Sequence, residues 1–237
     1  MYTRLTPDSS RSIAFWWRNE WGDTPSGTSA PASFAPRTCL ATMSDTPALV
    51  NGRPCGLKTF DGYDWSRIRL PEGMPRSDVE SCAFVGPMQN LVLYGGVGNG
   101  KTHMAIACGT VACNMGLSVM FTTISDLVVK MQKAEEAGSL ERVFREVERA
   151  DLVILDELGY LPIDRQGARL LFQVVSKCYE RRSLIVTTNL EFSRWGSVLT
   201  DDQMAAAMID RIIHYGHLIV FEGPTKRMEA SPMANKH

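Results

Sequence analysis

Short apolar runs alternate with stretches of helical apolar spacing along most of the chain. The runs are continuous, which is typical of strands buried on both faces of a parallel sheet. They occupy residues 91–94, 117–122, 152–155, 184–186 and 218–221. Because amphipathic helices separate the runs, the pattern predicts an α/β fold: a five-stranded parallel sheet sandwiched between helices, with ligands at the carboxyl ends of the strands.

Helix starts are marked by a hydroxyl residue at the N-cap and, in three cases, a second polar residue three positions later, the capping-box spacing. The three pairs are Ser77 with Glu80, Thr123 with Asp126, and Thr200 with Gln203. Ser139 precedes a further stretch of helical spacing. We therefore expect helices to begin at these four points.

The texture of the chain divides it into four parts. Residues 1–55 are rich in proline, serine and threonine and show no apolar period, so we expect a largely disordered leader or one wrongly included, with translation starting at Met43. Residues 56–86 form a short linker with a brief helix. The regular alternation predicts a nucleotide-binding domain over 87–228, and residues 229–237 make a flexible tail.

Composition limits the function classes. The chain has 44% hydrophobic and 22% charged residues, as in ordinary water-soluble globular proteins. Its net charge of −1 at pH 7 excludes a basic field over the whole molecule, so any DNA contact must come from a local patch. Arg142, Arg145 and Arg149 offer one such patch. Lys177, Arg181 and Arg182 offer another, although charges on amphipathic helices are usually just solvated.

Cysteine spacing and apolar run length address location. The six cysteines include no C-x-x-C pair and no zinc-ligand spacing, which favours a reducing, cytoplasmic setting. The longest apolar runs are far shorter than the roughly 20 residues of a membrane-spanning helix. We expect neither export nor a membrane partner.

Residues 95–102 read GGVGNGKT and fit the pattern G-x-x-x-x-G-K-[ST] between a predicted strand and a predicted helix. Such glycines let consecutive backbone N–H groups face phosphate oxygens, at the positive end of the following helix. Lys101 is expected to reach the β- and γ-phosphates of ATP, and Thr102 to give its hydroxyl to Mg²⁺. The predicted nucleotide-binding residues are Gly95, Gly96, Val97, Gly98, Asn99, Gly100, Lys101 and Thr102.

Two further strand ends carry polar residues that suit ATP hydrolysis. Asp156 and Glu157 follow the run 152–155. Asp156 would hold Mg²⁺ through water, and Glu157 would polarise the attacking water. Asn189 follows the run 184–186 and could bond either that water or the γ-phosphate. An acidic or polar strand end at the surface is the alternative in each case.

Two arginines are candidates for stabilising the charge of phosphoryl transfer. Arg211 lies beside the apolar stripe of the helix near residue 205, and Arg227 follows the last predicted strand. A guanidinium at the γ-phosphate accelerates this chemistry and is sometimes donated by a neighbouring subunit. Spacing alone also allows both to be ordinary surface arginines.

Several short motifs together point to one family. They are LKTF at 57–60, YDW at 63–65, the extension of the phosphate loop into His103, DELGY at 156–160, TTNL at 187–190 and MIDRIIH at 208–214. On these residues, from about Leu57 to Arg227, the chain resembles the IstB-like ATP-binding proteins. These are helper ATPases of insertion-sequence transposition and relatives of the DnaC helicase loaders within the AAA+ class.

The resemblance implies an AAA+ sheet, His103 as part of the nucleotide site, Asn189 as a first sensor, Arg211 as a finger into an adjacent subunit's site, and Arg227 as a second sensor. It also implies ATP-dependent homo-oligomers on DNA that recruit or stimulate a transposase. Two features depart from the family. The irregular leader stands where members carry a helical docking region, and Lys226 stands where they carry a tyrosine.

Three other functions stay open on the sequence. The chain could load a replicative helicase with the same ATPase site, or act as a scaffold that binds ATP and hardly hydrolyses it. A kinase that phosphorylates a small metabolite is disfavoured by Glu157, because that carboxylate suits the activation of water.

Overall fold

The computed structural model describes residues 49–50, 53–54, 58–223 and 225. Most of the leader 1–55, the tail 229–237, and Lys226 and Arg227 lie outside the described residues, so the expectations for them stay untested. Leu49–Val50 (β1) pairs with Arg53–Pro54 (β2) in an antiparallel arrangement.

A six-stranded mixed sheet carries the rest of the described chain. Its strands are β3 (Ile68–Arg69), β4 (Asn90–Gly95), β5 (Val119–Thr123), β6 (Leu152–Leu158), β7 (Ser183–Thr188) and β8 (Gly216–Phe221), in the spatial order β3-β8-β4-β7-β6-β5. The strands from β4 to β8 are parallel and confirm the five predicted runs. The predicted strand number was one too low, because β3 adds antiparallel to β8 and two residues are too few to show a period.

Within the described residues, seven α-helices pack on this sheet. They are α1 (Arg76–Glu80), α2 (Lys101–Asn114), α3 (Ile124–Glu136), α4 (Leu140–Arg149), α5 (Arg165–Cys178), α6 (Trp195–Leu199) and α7 (Asp202–Ile213). A 3₁₀ turn, Phe192–Arg194, precedes α6. Neither this turn nor α6 was predicted.

The central strands bury both of their faces, as their continuous apolar runs predict. Val153 and Leu155 of β6 face a core formed with α3 to α7. Leu152 and Ile154 of the same strand face a second core formed with α1, α2 and the aromatic segment 60–65. This alternation places helices on both sides of the sheet and aligns the carboxyl ends of β4, β6 and β7 along one edge.

The helix caps match the sequence in part. Thr123 accepts the backbone N–H of Asp126 and begins α3 as predicted, and α4 begins after Ser139. Ser77 was a wrong choice of cap, since Pro75, with its fixed φ and extended ψ, precedes α1 and Ser77 lies inside the helix. The cap predicted at Thr200 was wrong by one residue.

Thr200 adopts a left-handed conformation, with φ of 56°, at the end of α6. The Asp201 carboxylate caps α7 instead, accepting the Met204 N–H at 2.9 Å. Both residues can serve as an N-cap, but only Asp201 has the extended backbone that the position requires.

The described part of the predicted linker, residues 58–86 (the entry segment), is built into the domain. β3 pairs with β8, and five residues between 74 and 85 lie in the core beneath α2: Met74, Val79, Cys82, Phe84 and Val85. Cys82, Cys108, Cys113 and Cys178 are free thiols. Within the described residues no helix has the length and apolarity needed to cross a bilayer, and no cluster of His, Cys, Asp and Glu has a metal-binding arrangement.

Candidate functional site

The loop from β4 into α2 closes tightly at the carboxyl edge of the sheet. Gly98 and Gly100 have φ of 78° and 96°, in the region that L side chains rarely adopt. A Cβ on Gly95 would lie 2.4 Å from the carbonyl oxygen of Phe221, so β8 leaves no room for a side chain there. The glycines that the motif requires are therefore also required by the backbone.

Lys101, the first residue of α2, folds back over the loop. Its Nζ donates to the carbonyl oxygens of Gly95 and Gly96, each at 2.7 Å. Only 5% of the residue is exposed. The ammonium group is thus held within the curve of the loop, where a phosphate would need a counter-charge.

Asn99 ties the loop to the end of β8. Its Nδ2 donates to the carbonyl oxygen of Gly223 at 3.0 Å, while its Oδ1 is buried without a hydrogen-bond partner. The side chain points back toward the segment after β8. We therefore see Asn99 as a tether of the loop, whereas the sequence predicted it only as part of the phosphate cradle.

Asp156 lies directly across from the start of α2. Thr102 Oγ1 donates to its Oδ1 at 3.0 Å, and Thr187 Oγ1 donates to the same oxygen. Burial raises the pKa of the Asp156 carboxyl above its usual range, and hydrogen bonds from Thr187 and Thr102 and the charge of Lys101 oppose that rise. The site contains a carboxylate and hydroxyl on adjoining elements, the oxygen donors that Mg²⁺ prefers.

A β-bulge separates the roles of the two acidic residues. Leu155 pairs with Val186 and Leu158 with Thr188, so two residues of β6 lie opposite Thr187 alone. Glu157 consequently takes a φ of 67° and its side chain is exposed, while Asp156 is buried. The Glu157 N–H donates to Thr187 Oγ1 at 2.9 Å. The bulge turns one carboxylate toward the sheet and exposes the other.

Asn189 follows β7 beside this bulge. Its Oδ1 is buried and has no hydrogen-bond partner, and it lies 3.4 Å from where a Cβ of Gly159 would be. The same Cβ would lie 2.5 Å from the Leu190 side chain and Gly159 has a φ of 95°, so a larger residue would be strained and would have to displace Leu190. An unpaired amide oxygen at this edge is able to accept a hydrogen bond from a water molecule.

The entry segment packs on the first turn of α2. His103 Nε2 lies 3.0 Å from the carbonyl oxygen of Thr59, and the His103 ring contacts the Tyr63 ring at 4.9 Å. The Tyr63 hydroxyl donates to the Gly100 carbonyl oxygen at 3.1 Å. His103 thus connects the loop to the residues that precede the sheet.

Arg211 lies far from the phosphate loop of its own chain. Its guanidinium stacks on the Phe172 ring at 4.6 Å and donates to the Ala207 carbonyl oxygen. The next residue, Ile212, contacts Asn90 at the amino end of β4, whereas the loop begins at the carboxyl end, about 16 Å along the strand. The structure does not bring Arg211 to the other site residues, and Arg227 lies outside the described residues.

The two predicted basic faces differ in how far their side chains are exposed. Lys177 forms an ion pair with Glu148 at 2.8 Å, and Arg182 donates to the Glu148 carbonyl oxygen. The three arginines of α4 are exposed on one side of the helix, at positions 142, 145 and 149. Arg142 lies 3.9 Å from Glu146 and Arg145 donates to the Glu141 carbonyl oxygen, so both faces carry contacts within the chain, and the α4 face is the more exposed of the two.

Two residues at the site were not among the predicted ones. Thr187 contacts both acidic residues, and Tyr63 contacts the loop. Both belong to the motifs of the family resemblance, which is a signal for their importance. Their roles depend on strand register and on the packing of a distant segment, which spacing along the chain does not reveal.

Comparison with known proteins gives consistent relatives. Residues 54–234 match the family described as IstB-like ATP binding protein. The insertion sequence IS21 ATP-binding protein of Pseudomonas aeruginosa is 34% identical over 176 residues, 73% of this chain and 65% of that protein. Its IS5376 counterpart in Geobacillus stearothermophilus is 33% identical over 171 residues, 72% and 68% of the two chains. The chain spans about two thirds of the length of these relatives.

Solved structures share the fold. The DnaC helicase loader superposes with a TM-score of 0.55 at 19% identity, over 70% of this chain and 97% of that one. AMPPCP-bound DnaA from Aquifex aeolicus gives 0.54 at 19% identity, over 73% and 53%. At this identity the likeness concerns the fold alone, which is the AAA+ type of P-loop α/β fold that the sequence predicted.

Proposed function

The chain belongs to the IstB-like ATP-binding protein family, and from that premise we propose that it hydrolyses ATP as a helper of insertion-sequence transposition, assembling on DNA and regulating a transposase. One observation carries the enzymatic part. Lys101 and Asp156 lie at the edge where β4 and β6 end, held by bonds to backbone carbonyls and to a hydroxyl, and Glu157 follows Asp156 with its backbone N–H bonded to Thr187.

The phosphate loop supplies binding. The backbone N–H groups of residues 95–102 and the N-terminus of α2 face the triphosphate, and Lys101 Nζ exchanges its two carbonyl contacts for β- and γ-phosphate oxygens. His103 and the segment around Tyr63 contact the same turn from the other side. These contacts favour a nucleoside triphosphate as the substrate class.

Thr102 and Asp156 would hold Mg²⁺, since their oxygens already lie 3.0 Å apart at the buried end of the site. When bound, the ion neutralises charge on the β- and γ-phosphates. Thr187 keeps the Asp156 carboxylate in its orientation by a hydrogen bond. A cation bound at this position would lower the pKa of Asp156 again, because positive charge favours the ionised carboxylate.

Glu157 acts as the general base. Its exposed carboxylate accepts a proton from the attacking water as the oxygen of that water bonds to the γ-phosphorus, and the bond from the γ-phosphorus to the β,γ-bridging oxygen breaks to leave ADP and phosphate. Asn189 Oδ1 accepts the other hydrogen of the water and orients it. In this proposal Glu157 and Asn189 are the two hydrogen-bond acceptors of the attacking water.

Arg211 acts in the site of a neighbouring subunit. The contacts described for its guanidinium are with Phe172 and Ala207, both in the helical layer, and this supports a role across a subunit interface. Homo-oligomers are therefore part of the proposal. Arg227 is retained as a second sensor on the family resemblance alone.

DNA and the transposase follow from the relatives, whose names place them in insertion sequences. We propose the arginine face of α4 as the DNA contact, because its side chains are more exposed than the face that includes Lys177. Such contacts to phosphates weaken steeply with salt. A transposase is preferred over a replicative helicase as partner, since similarity to DnaC concerns the fold alone.

The deciding experiment combines size analysis and ATP turnover with ATP, Mg²⁺ and duplex DNA, alone and together. Assembly and turnover that require all three components support the proposal, and Lys101→Ala should abolish both. Lys133→Ala, which removes an exposed lysine of α3, is the matched control. ATP-dependent assembly without turnover would leave the scaffold function, and no DNA binding at low salt with ATP would contradict the role on DNA.

A further inference from the structure

The Tyr63 hydroxyl contacts the phosphate loop from outside the sheet. Tyr63 donates its hydroxyl hydrogen to the Gly100 carbonyl oxygen, which also accepts the Met104 N–H at 3.0 Å as the first hydrogen bond of α2. A Cβ on Gly100 would lie 3.3 Å from the Tyr63 hydroxyl. Gly100 is thus held between the helix and the phenol.

The Tyr63 ring is itself fixed by an aromatic cluster. It makes edge contacts with Phe60 at 5.8 Å, Trp65 at 5.3 Å and His103 at 4.9 Å. Arg76 of α1 lies over the Trp65 ring at 4.9 Å. A hydroxyl on such a supported ring has little freedom to move away from Gly100.

The planarity of the peptide bond passes this constraint to Lys101. The Gly100 carbonyl and the Lys101 N–H belong to one trans peptide and point in opposite directions. A hydrogen bond that fixes the carbonyl on the Tyr63 side therefore fixes the N–H on the opposite side. Lys101 is the first residue of α2, so its N–H points out of the helix N-terminus, toward the loop whose carbonyl oxygens accept from the Lys101 ammonium.

We infer that Tyr63 is a positioning residue of the phosphate loop, whose hydroxyl holds the Gly100–Lys101 peptide in the orientation that turns the Lys101 N–H toward bound phosphate. This inference rests on the proposed ATP-binding function. It assigns the entry segment a direct part in nucleotide affinity, in addition to its packing on α2.

The Tyr63 hydroxyl keeps its proton and so remains a hydrogen-bond donor to Gly100. Burial, with smaller contributions from the Cys108 and Asp64 side chains, raises the pKa of the Tyr63 hydroxyl well above its ordinary value. The group stays protonated across the pH range in which the protein would work. The hydrogen bond to Gly100 is therefore not lost by titration.

The test compares two substitutions in the full chain, with the Kd for Mg-ADP measured by calorimetry and the β-phosphorus resonance of bound ADP followed by NMR. Tyr63→Phe keeps the ring and removes the hydroxyl, and should weaken ADP binding about fivefold to tenfold and shift the resonance. Tyr179→Phe removes another tyrosine hydroxyl, which is bonded to His214, and should change neither. Both variants should unfold at similar temperatures without nucleotide.

Wild-type affinity and resonance in Tyr63→Phe, with loss of affinity only in Tyr63→Leu, would overturn the inference, because ring packing would then be sufficient. If wild-type protein binds ADP and Lys101→Ala does not, the ATP-binding function stands, and an unchanged affinity in Tyr63→Phe contradicts only the role of Tyr63. Absence of nucleotide binding by the wild-type protein would instead refute the proposed function, and the inference with it.

Discussion

Thr187 donates its hydroxyl hydrogen to Oδ1 of Asp156 across the β6–β7 pair. The same hydroxyl oxygen accepts the Glu157 backbone N–H, so one side chain bonds the carboxylate of Asp156 and the backbone of Glu157. Because the bond to Thr187 lowers the pKa of the Asp156 carboxyl, its loss should raise that pKa further. The acidic residues are therefore coupled through a neutral neighbour.

Thr187→Val should lower ATP turnover about tenfold, as expected for the loss of one hydrogen bond to a charged group. The acid limb of the pH–rate profile should move to higher pH, because Asp156 must be ionised to hold Mg²⁺. A pH series of steady-state rates measures both effects. Thr110→Val, which removes a hydroxyl bonded within α2, is the control and should leave the limb in place.

Two substitutions at Glu157 should separate its effect on ATP turnover from its effect on stability. Glu157→Gln should lower kcat about 10²- to 10⁴-fold with nucleotide affinity retained, because the base is removed and the shape kept. Glu157→Gly should also lose turnover but raise the unfolding temperature by about 2–4 °C, since glycine adopts the positive φ without strain. Retained turnover in both variants would exclude Glu157 as the base.

Asp156 should reduce the stability of the nucleotide-free protein at neutral pH. Its pKa is raised in the folded state, so its stabilising contribution is present below the unfolded pKa and is lost as the pH rises through the folded value. Asp156→Asn keeps the acceptor for Thr102 and Thr187. We expect it to raise the unfolding temperature at pH 7.

The gain from Asp156→Asn should disappear below about pH 4, where the wild-type carboxyl is protonated in both states. Thermal unfolding across a pH series, without nucleotide or Mg²⁺, measures this. Equal stability of the two proteins at pH 7 would contradict the raised pKa. Mg²⁺-dependent turnover should be lost in the variant at every pH.

Arg211 and Glu157 should complement each other between subunits. Arg211→Ala and Glu157→Gln should each be inactive alone, whereas an equal mixture should recover activity at up to about a quarter of the sites. Those sites combine Glu157 of one subunit with Arg211 of its neighbour. Turnover assays on mixtures test this, and an inactive mixture that still assembles would place Arg211 outside the catalytic site.

Gly95 should tolerate no side chain. Gly95→Ala should cost more than the roughly 1 kcal/mol of an ordinary positive-φ glycine, because its Cβ would meet Phe221. Gly138→Ala, at φ of 66° with open space around it, is the matched control. Denaturant unfolding compares the two, and equal free energies of unfolding would argue against the steric reason.

The sequence predicted much of the parallel sheet because its strands are buried on both faces. Continuous apolar runs such as 152–155 are distinctive, and the order and spacing of the residues in GGVGNGKT identify the loop. The carboxyl ends of β4, β6 and β7 then follow from the alternation of strands and helices. The position of Lys101 relative to Asp156 is a consequence of this regular geometry.

What the sequence did not predict depends on contacts between distant residues. β3 is too short for any period and exists only because β8 offers an open edge to residues 68–69. The bulge at Glu157 is visible only in the register of β6 against β7. The cap at Asp201 was missed because Thr200 fits the same pattern and only the backbone angle distinguishes them.

The last described strand, β8, lies inside the sheet, between β3 and β4, and its end contacts the phosphate loop through Phe221 and Gly223. During synthesis the loop is made long before this strand, so the nascent chain carries a nucleotide motif without its supporting wall. The site is completed only when residues 216–223 have left the ribosome and β8 has joined the sheet. Nucleotide binding therefore requires β8, and chains that stop before Gly216 should carry the glycine-rich motif without a complete nucleotide site.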